Sequence, residues 1–131
     1  MKKTNENYQH CEYIAETLKK CAEGALMRCP SCGEIYEGKE YGAECEKCEE
    51  DLEYFDLFDY FQDVLDVEYR IDRERNFKSA KILVAFGGPT IWVDTEKSKV
   101  ILQWWNEHAE AEIDDYTNDA INELFEELYN C

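Results

Sequence analysis

Two cysteine pairs dominate the chemistry open to this chain: Cys29-Pro-Ser-Cys32 and Cys45-Glu-Lys-Cys48, with twelve residues between them. Each C-x-x-C places two sulfurs on one tight turn, and two such turns close a four-thiolate tetrahedral shell around a metal ion. In a reducing cytosol, clustered cysteines read as metal ligands before disulfides. Zinc suits this donor set, with iron in the same shell and paired disulfides as the alternatives. A shell closed by Cys29, Cys32, Cys45 and Cys48 keeps no position for substrate or a reactive water. Its expected role is therefore structural, stapling a hairpin too small to bury a core of its own. The first knuckle continues into Gly33, a turn residue suited to this geometry, whereas the second continues Cys48-Glu49-Glu50. Cys11 and Cys21 recur on an apolar helical stripe and are expected as buried thiols. Cys131 is the last residue.

Other reactive groups are sparse. The two histidines, His10 and His108, have no nucleophile partner at a useful spacing: His10 and Cys11 point about 100° apart on a helix. There is no phosphate-cradling glycine loop, nucleophile elbow or H-E-x-x-H helix. Gly87-Gly88-Pro89 reads as a bend between strands. The expectation is a protein that is not an enzyme.

What the chain has in excess is acid. Asp plus Glu number 31 against 14 Lys plus Arg, a net charge of −17 in 131 residues and a pI near 4.4. Residues 1–28 and 79–105 are close to neutral, and the negative charge concentrates in 29–78 and 106–131. Such a chain repels phosphate, which excludes direct nucleic-acid binding. The cysteine hairpin is no exception, because seven glutamates (Glu34, Glu37, Glu40, Glu44, Glu46, Glu49 and Glu50) face only Lys39 and Lys47. No apolar run approaches the ~18 residues of a membrane span, and the polar start lacks a signal region. The expected setting is the cytoplasm of a host bacterial cell. A charged face is usually just solvated, but solubility alone needs a net charge of only about 2–8.

The elements that must carry these residues follow from periodicity. Residues 4–23 read as an amphipathic helix capped by Thr4 or Asn5 and stopped by Gly24. Asp51–Leu65 reads as a second helix, with Tyr54, Leu57, Phe58, Phe61, Val64 and Leu65 on one side. Asp56, Asp59, Asp63 and Asp66 then form an acidic row about 5 Å apart, with Tyr60 at its border. Val67–Ile71, Ile82–Phe86, Thr90–Thr95, Lys99–Trp105 and 109–113 read as strands of an antiparallel sheet. Glu110 and Glu112 share one strand face, and Trp92, Trp104 and Trp105 are expected in sheet packing with at most one exposed. Asp114 or Asp115 caps a last helix whose inner stripe is Ile121, Leu124, Phe125 and Leu128, leaving Asp119, Glu123, Glu126 and Glu127 outside. The sum is α+β, an N-terminal helix (1–28), a cysteine hairpin (29–50) and an α+β unit (51–131), expected to form one compact body.

The cysteine module resembles the zinc-ribbon and rubredoxin-like knuckle group over about 20 residues. The chain as a whole (small, very acidic, aromatic-rich) is similar to phage and mobile-element proteins that inhibit host defence, including anti-CRISPR and anti-restriction proteins. The segment Phe86-Gly-Gly-Pro-Thr-Ile-Trp-Val-Asp-Thr95 with Trp104-Trp105 also looks like one found in small acidic proteins of mobile elements. These resemblances imply a non-enzymatic nucleic-acid mimic. Its ordered carboxylates would occupy the basic channel of a nucleic-acid-binding partner, a CRISPR or restriction effector. Duplex DNA sets one charge per ~3.4 Å on each strand, a spacing that rows of acid can imitate. Tyr60 and, in the hairpin, Tyr36 and Tyr41 would supply amphipathic anchors for that contact. The alternative is a zinc-ribbon adaptor or regulatory protein that binds a host protein through its aromatics, its charge incidental.

Overall fold

The computed structural model describes residues 6–131, together with the backbone of the first helix from Lys2; the helix begins before the expected cap, so Thr4 and Asn5 lie within it instead of capping it. That helix, α1 (Lys2–Glu23), buries Cys11, Ile14, Leu18 and Cys21 along one stripe. It ends where Gly24 takes φ +75°. The Gly24 N–H donates to Cys21 O and the Ala25 N–H to Lys20 O, satisfying carbonyls the helix leaves over.

The chain then builds a small sheet from β1 (Leu26–Arg28), β2 (Ile35–Glu37) and β3 (Glu53–Tyr54), with β1 in the middle. Met27, Cys29, Cys45 and Leu52 form a cluster here that is separate from the main core. The expected helix over 51–65 is not formed as a unit. Glu53–Tyr54 pairs with β1, and a single turn of helix, α2 (Leu57–Tyr60), is followed by a 3₁₀ turn at Phe61–Asp63. Asp56 is the reason for the break: its side chain accepts the Asp59 N–H while the Asp59 carboxylate accepts the Asp56 N–H, a reciprocal cap that starts a helix there.

The body is a five-stranded antiparallel meander, β4 (Asp66–Ile71), β5 (Phe77–Ala85), β6 (Thr90–Asp94), β7 (Lys99–Trp104) and β8 (Glu107–Glu112), each strand beside its chain neighbours. Register sorts the side chains by parity. Val67, Ile82, Val93, Val100 and Ala111 align across the sheet on the face toward the helices. One residue along each strand, Glu68, Lys81, Asp94, Lys99 and Glu112 align on the other face, alternating in sign. α1 packs chiefly on β8, and α3 (Asp115–Tyr129) on β5. Asp114 caps α3 by accepting the Thr117 N–H. Ile121 and Phe125 of its expected inner stripe are buried, but Leu128 is exposed. Tyr129 takes that place, its ring tilted against Tyr69 at 5.2 Å and its hydroxyl donating to Arg75 O at 2.9 Å. The fold is thus α+β, helices on one face of the sheet, and among the described residues no helix is long and apolar enough to cross a membrane.

Candidate metal centre and acidic surfaces

The two knuckles are built alike. In the first, the Cys29 N–H donates to Glu34 O and the Gly33 N–H to Cys29 O. In the second, the Cys45 N–H donates to Glu50 O and the Glu49 N–H to Cys45 O. Gly33 needs φ +80° to close its turn, and Glu49, in the equivalent place, adopts φ +60° without being glycine. Backbone N–H groups of Cys32 and Lys47 point at Cys29 Sγ and Cys45 Sγ, each at 3.4 Å.

The four sulfurs lie within 4.8 Å of one another, and Cys32 Sγ is 3.7 Å from Cys45 Sγ. Metal–sulfur bonds of about 2.3 Å in a tetrahedron require sulfur–sulfur edges of about 3.8 Å, whereas a disulfide needs ~2.05 Å. No disulfide forms, and the donor set fits a four-coordinate metal ion. Tyr36 supports the shell from outside: its hydroxyl sits 3.4 Å from Cys45 Sγ and accepts the Glu46 N–H at 3.2 Å. That hydroxyl contact, with backbone N–H groups, draws the Cys45 thiol down to about 6, favouring the thiolate a metal requires. Within the same cluster Cys48 is drawn the other way, up to about 12, by its hydrogen bond with Cys32, and Cys11 and Cys21 are pushed up by burial to about 11 and about 12.

The carboxylates singled out in the sequence divide between surfaces. Asp56, Glu123 and Glu127 come together around a groove of about 270 Å³ between α2 and α3, lined also by Leu57, Phe58 and Leu124. Asp119 and Glu126 lie exposed on α3, and Asp63 is exposed at the end of the 3₁₀ turn. Asp59 is spent in the cap, and Tyr60 is half-buried against Phe61, its phenol raised to about 12 by burial. The single-helix row Asp56-Asp59-Asp63-Asp66 therefore does not exist. Asp66 opens β4 opposite Leu83, on the helix-free side of the sheet. Glu110 and Glu112 are on that side too, and Glu110 is not free: Lys99 Nζ at 2.8 Å and His108 Nε2 at 2.7 Å hold it down to about 2.

Two features escaped the sequence reading. Asp94, buried on the sheet's helix-free side, receives Arg70 Nη1 at 3.2 Å and the Glu96 N–H at 3.0 Å. Burial by itself raises a carboxyl, yet Arg70 and the backbone hold this one below the usual range. The tryptophans also depart from expectation. Trp92 is half-buried under Lys81, whose Nζ lies 4.7 Å from the ring centroid. Trp104 is 42% and Trp105 88% exposed, because β7 ends at Trp104 and a two-residue turn, Trp105-Asn106, carries the chain beyond the last helix-covered rung. The protein is thus a four-cysteine hairpin set on a helix-backed antiparallel meander. Comparison with protein-family models, curated proteins and solved structures gives no match.

Proposed function

We propose that the knuckles hold one structural zinc ion and that the chain is a non-enzymatic acidic binding protein. It occupies the basic, phosphate-binding channel of a nucleic-acid-binding protein and so inhibits it. Zinc is preferred to iron because four thiolates in a closed shell suit an ion with no redox work to do. The observation that carries the binding reading is the distribution of cations. Residues 51–69 and 100–131 contain no Lys or Arg, and the fold packs these two segments against each other, Phe61 meeting Phe125 edge-on at 5.1 Å. Elsewhere Lys20, Arg28, Lys39, Lys47, Arg70 and Lys99 are paired with nearby carboxylates. Among the described residues no ion pair involves the carboxylates of α2 and α3, so the charge there is open to a partner's Lys and Arg, giving fast, salt-sensitive association.

The resemblance to anti-defence proteins makes CRISPR and restriction effectors the first partners to try. The test is capture of such an effector on the immobilised zinc-loaded protein, with elution by salt and by duplex DNA. Capture should fall steeply between low and moderate salt, DNA should compete, and Asp56→Lys with Glu123→Lys and Glu127→Lys should abolish it. Retention at high salt without competition by DNA would refute the mimicry reading.

One observation favours the second reading, an adaptor that binds through the ribbon. Tyr41 and Tyr54 stack at 6.2 Å while remaining 83% and 53% exposed. An aromatic interface of that kind predicts affinity nearly indifferent to salt.

A further inference from the structure

The two knuckles share their backbone pattern but not their surroundings. Cys29 and Cys45 are 0% and 1% exposed, and each Sγ accepts a backbone N–H at 3.4 Å, from Cys32 and Lys47. Cys45 alone also has a hydroxyl beside it, Tyr36 Oη at 3.4 Å; among the described residues no other side-chain hydroxyl reaches one of the four sulfurs. The direction of that contact follows from charge. A metal-bound thiolate carries no proton, so the phenol must be the donor. Its oxygen meanwhile accepts the Glu46 N–H at 3.2 Å, which fixes the hydroxyl against the second knuckle and leaves its single proton for Cys45.

The ring is held from several sides. Tyr36 sits in β2 opposite Met27 of β1 and packs on the cluster of Met27, Cys29, Cys45 and Leu52. Lys39 Nζ lies 5.4 Å from its centroid and 3.3 Å from the Glu46 carboxylate. Glu46 is the same residue whose N–H reaches the phenol, so ring, cation, carboxylate and backbone close a loop between β2 and the second knuckle. The electrostatics give that loop a task. Four thiolates around a divalent ion keep a formal charge of −2, inside a hairpin that already carries seven glutamates against two lysines. A neutral hydroxyl donating to sulfur disperses that charge without exposing a further cation.

We propose that Tyr36 is a positioning residue of the metal centre: its hydroxyl donates to Cys45 Sγ, draws electron density from that one ligand and makes Cys45 the sulfur that holds the ion longest. This rests on the structural-zinc reading above and names the side chain outside the shell that tunes it. Outer-shell donors of this kind change metal affinity by about tenfold to a hundredfold.

Tyr36→Phe in the full-length chain removes the hydroxyl and keeps the ring under Lys39. Zinc affinity, read by chelator competition, should fall about tenfold. In the cobalt-loaded variant the sulfur-to-metal charge-transfer band should move to lower energy, because a sulfur without its donor gives up an electron more readily. Looser packing alone would weaken binding but leave that band in place. Cysteine reactivity gives a second readout, with N-ethylmaleimide on the zinc-loaded chain followed by mass spectrometry. Cys29 is the internal reference, equally buried and also held by a backbone N–H. Cys45 should react more slowly than Cys29 in the parent, and Tyr36→Phe should close the gap. Lys39→Met takes away the cation but not the hydroxyl, so band and order of reaction should stay as in the parent. If Tyr36→Phe folds poorly, the parent loaded with a magnetic cadmium isotope answers by itself: NMR should show the Tyr36 hydroxyl proton coupled to the metal through Cys45 Sγ. An unmoved band with an unchanged Cys45-to-Cys29 ratio, or no such coupling, would overturn the role of Tyr36 while leaving the zinc reading intact. A parent that takes up no cobalt into a four-thiolate shell would overturn the zinc reading, and the role of Tyr36 with it.

Discussion

The two knuckles contain their own control experiment. They share their backbone hydrogen bonds, and each turns on a residue in the left-handed region, Gly33 in the first and Glu49 in the second. Holding an L-residue there costs about 1–2 kcal/mol, and a glycine in its place returns about 0.4–1 kcal/mol to the flexibility of the unfolded chain. Glu49→Gly should therefore stabilise the metal-loaded protein by a net of about 0.5–1 kcal/mol, or roughly 2–4 °C in Tm for a chain of this size. Glu49→Ala keeps the positive φ and isolates the effect of removing one negative charge, so its gain should be smaller. Gly33→Ala meets no neighbouring atom within 4 Å, and its loss of about 1 kcal/mol should come from the backbone alone. Chemical denaturation of the four proteins under one zinc concentration, with a chelator competition for metal affinity, measures the series. If Glu49→Gly is neutral or destabilising, or if Glu49→Ala equals it, the left-handed strain assigned to the second knuckle is refuted.

Arg70→Met should destabilise by about 1–3 kcal/mol at neutral pH by leaving Asp94 buried without its partner. Because the folded Asp94 carboxyl lies below its unfolded value, its stabilisation is present above about pH 4 and lost as pH falls; acid titration of the two proteins should show a shallower loss in the variant. Lys99→Met should raise Glu110 from about 2 toward the ordinary carboxylate range, read by NMR titration of its side-chain carbon. Cys29→Ser should lower metal content from one ion per chain and loosen the 26–54 sheet while the five-stranded body keeps its circular dichroism, because the two hydrophobic clusters are separate. Loss of the whole fold would contradict that separation.

The ligand set and the meander were legible because both are local. C-x-x-C fixes its own geometry, and alternating or continuous apolar runs locate each strand of the large sheet, although β5 starts at Phe77 rather than at the expected Ile82, because its first residues pair with β4. The segment 51–65 was misread because its helical periodicity is real but loses to partners far away in sequence. Glu53–Tyr54 is drawn into pairing with β1, and the Leu65 N–H donates to Leu83 O before a helix could reach it. The three aspartates at 56, 59 and 63 favour that outcome, since short acidic side chains compete with the backbone for hydrogen bonds. The missing glycine after Cys48 was visible, but its consequence, a left-handed Glu49, was not. Nor could strand parity place Trp105, since parity stops at the turn. Asp94 and Arg70 were silent for the same reason as β3: they meet only through register.

The packing of α1 on β8 sets the timing of this protein's birth. The buried stripe of the first helix finds most of its cover on the last strand, so Cys11, Ile14 and Leu18 leave the ribosome well before the residues that cover them. Roughly 90 further residues must be translated first, a wait of about 5–20 s at ordinary elongation rates. The knuckles need no such wait, since every residue of the 26–54 sheet has emerged long before. A nascent chain should acquire its metal-bound head while its first helix is still an open apolar surface for chaperones, and close only when the sheet is complete.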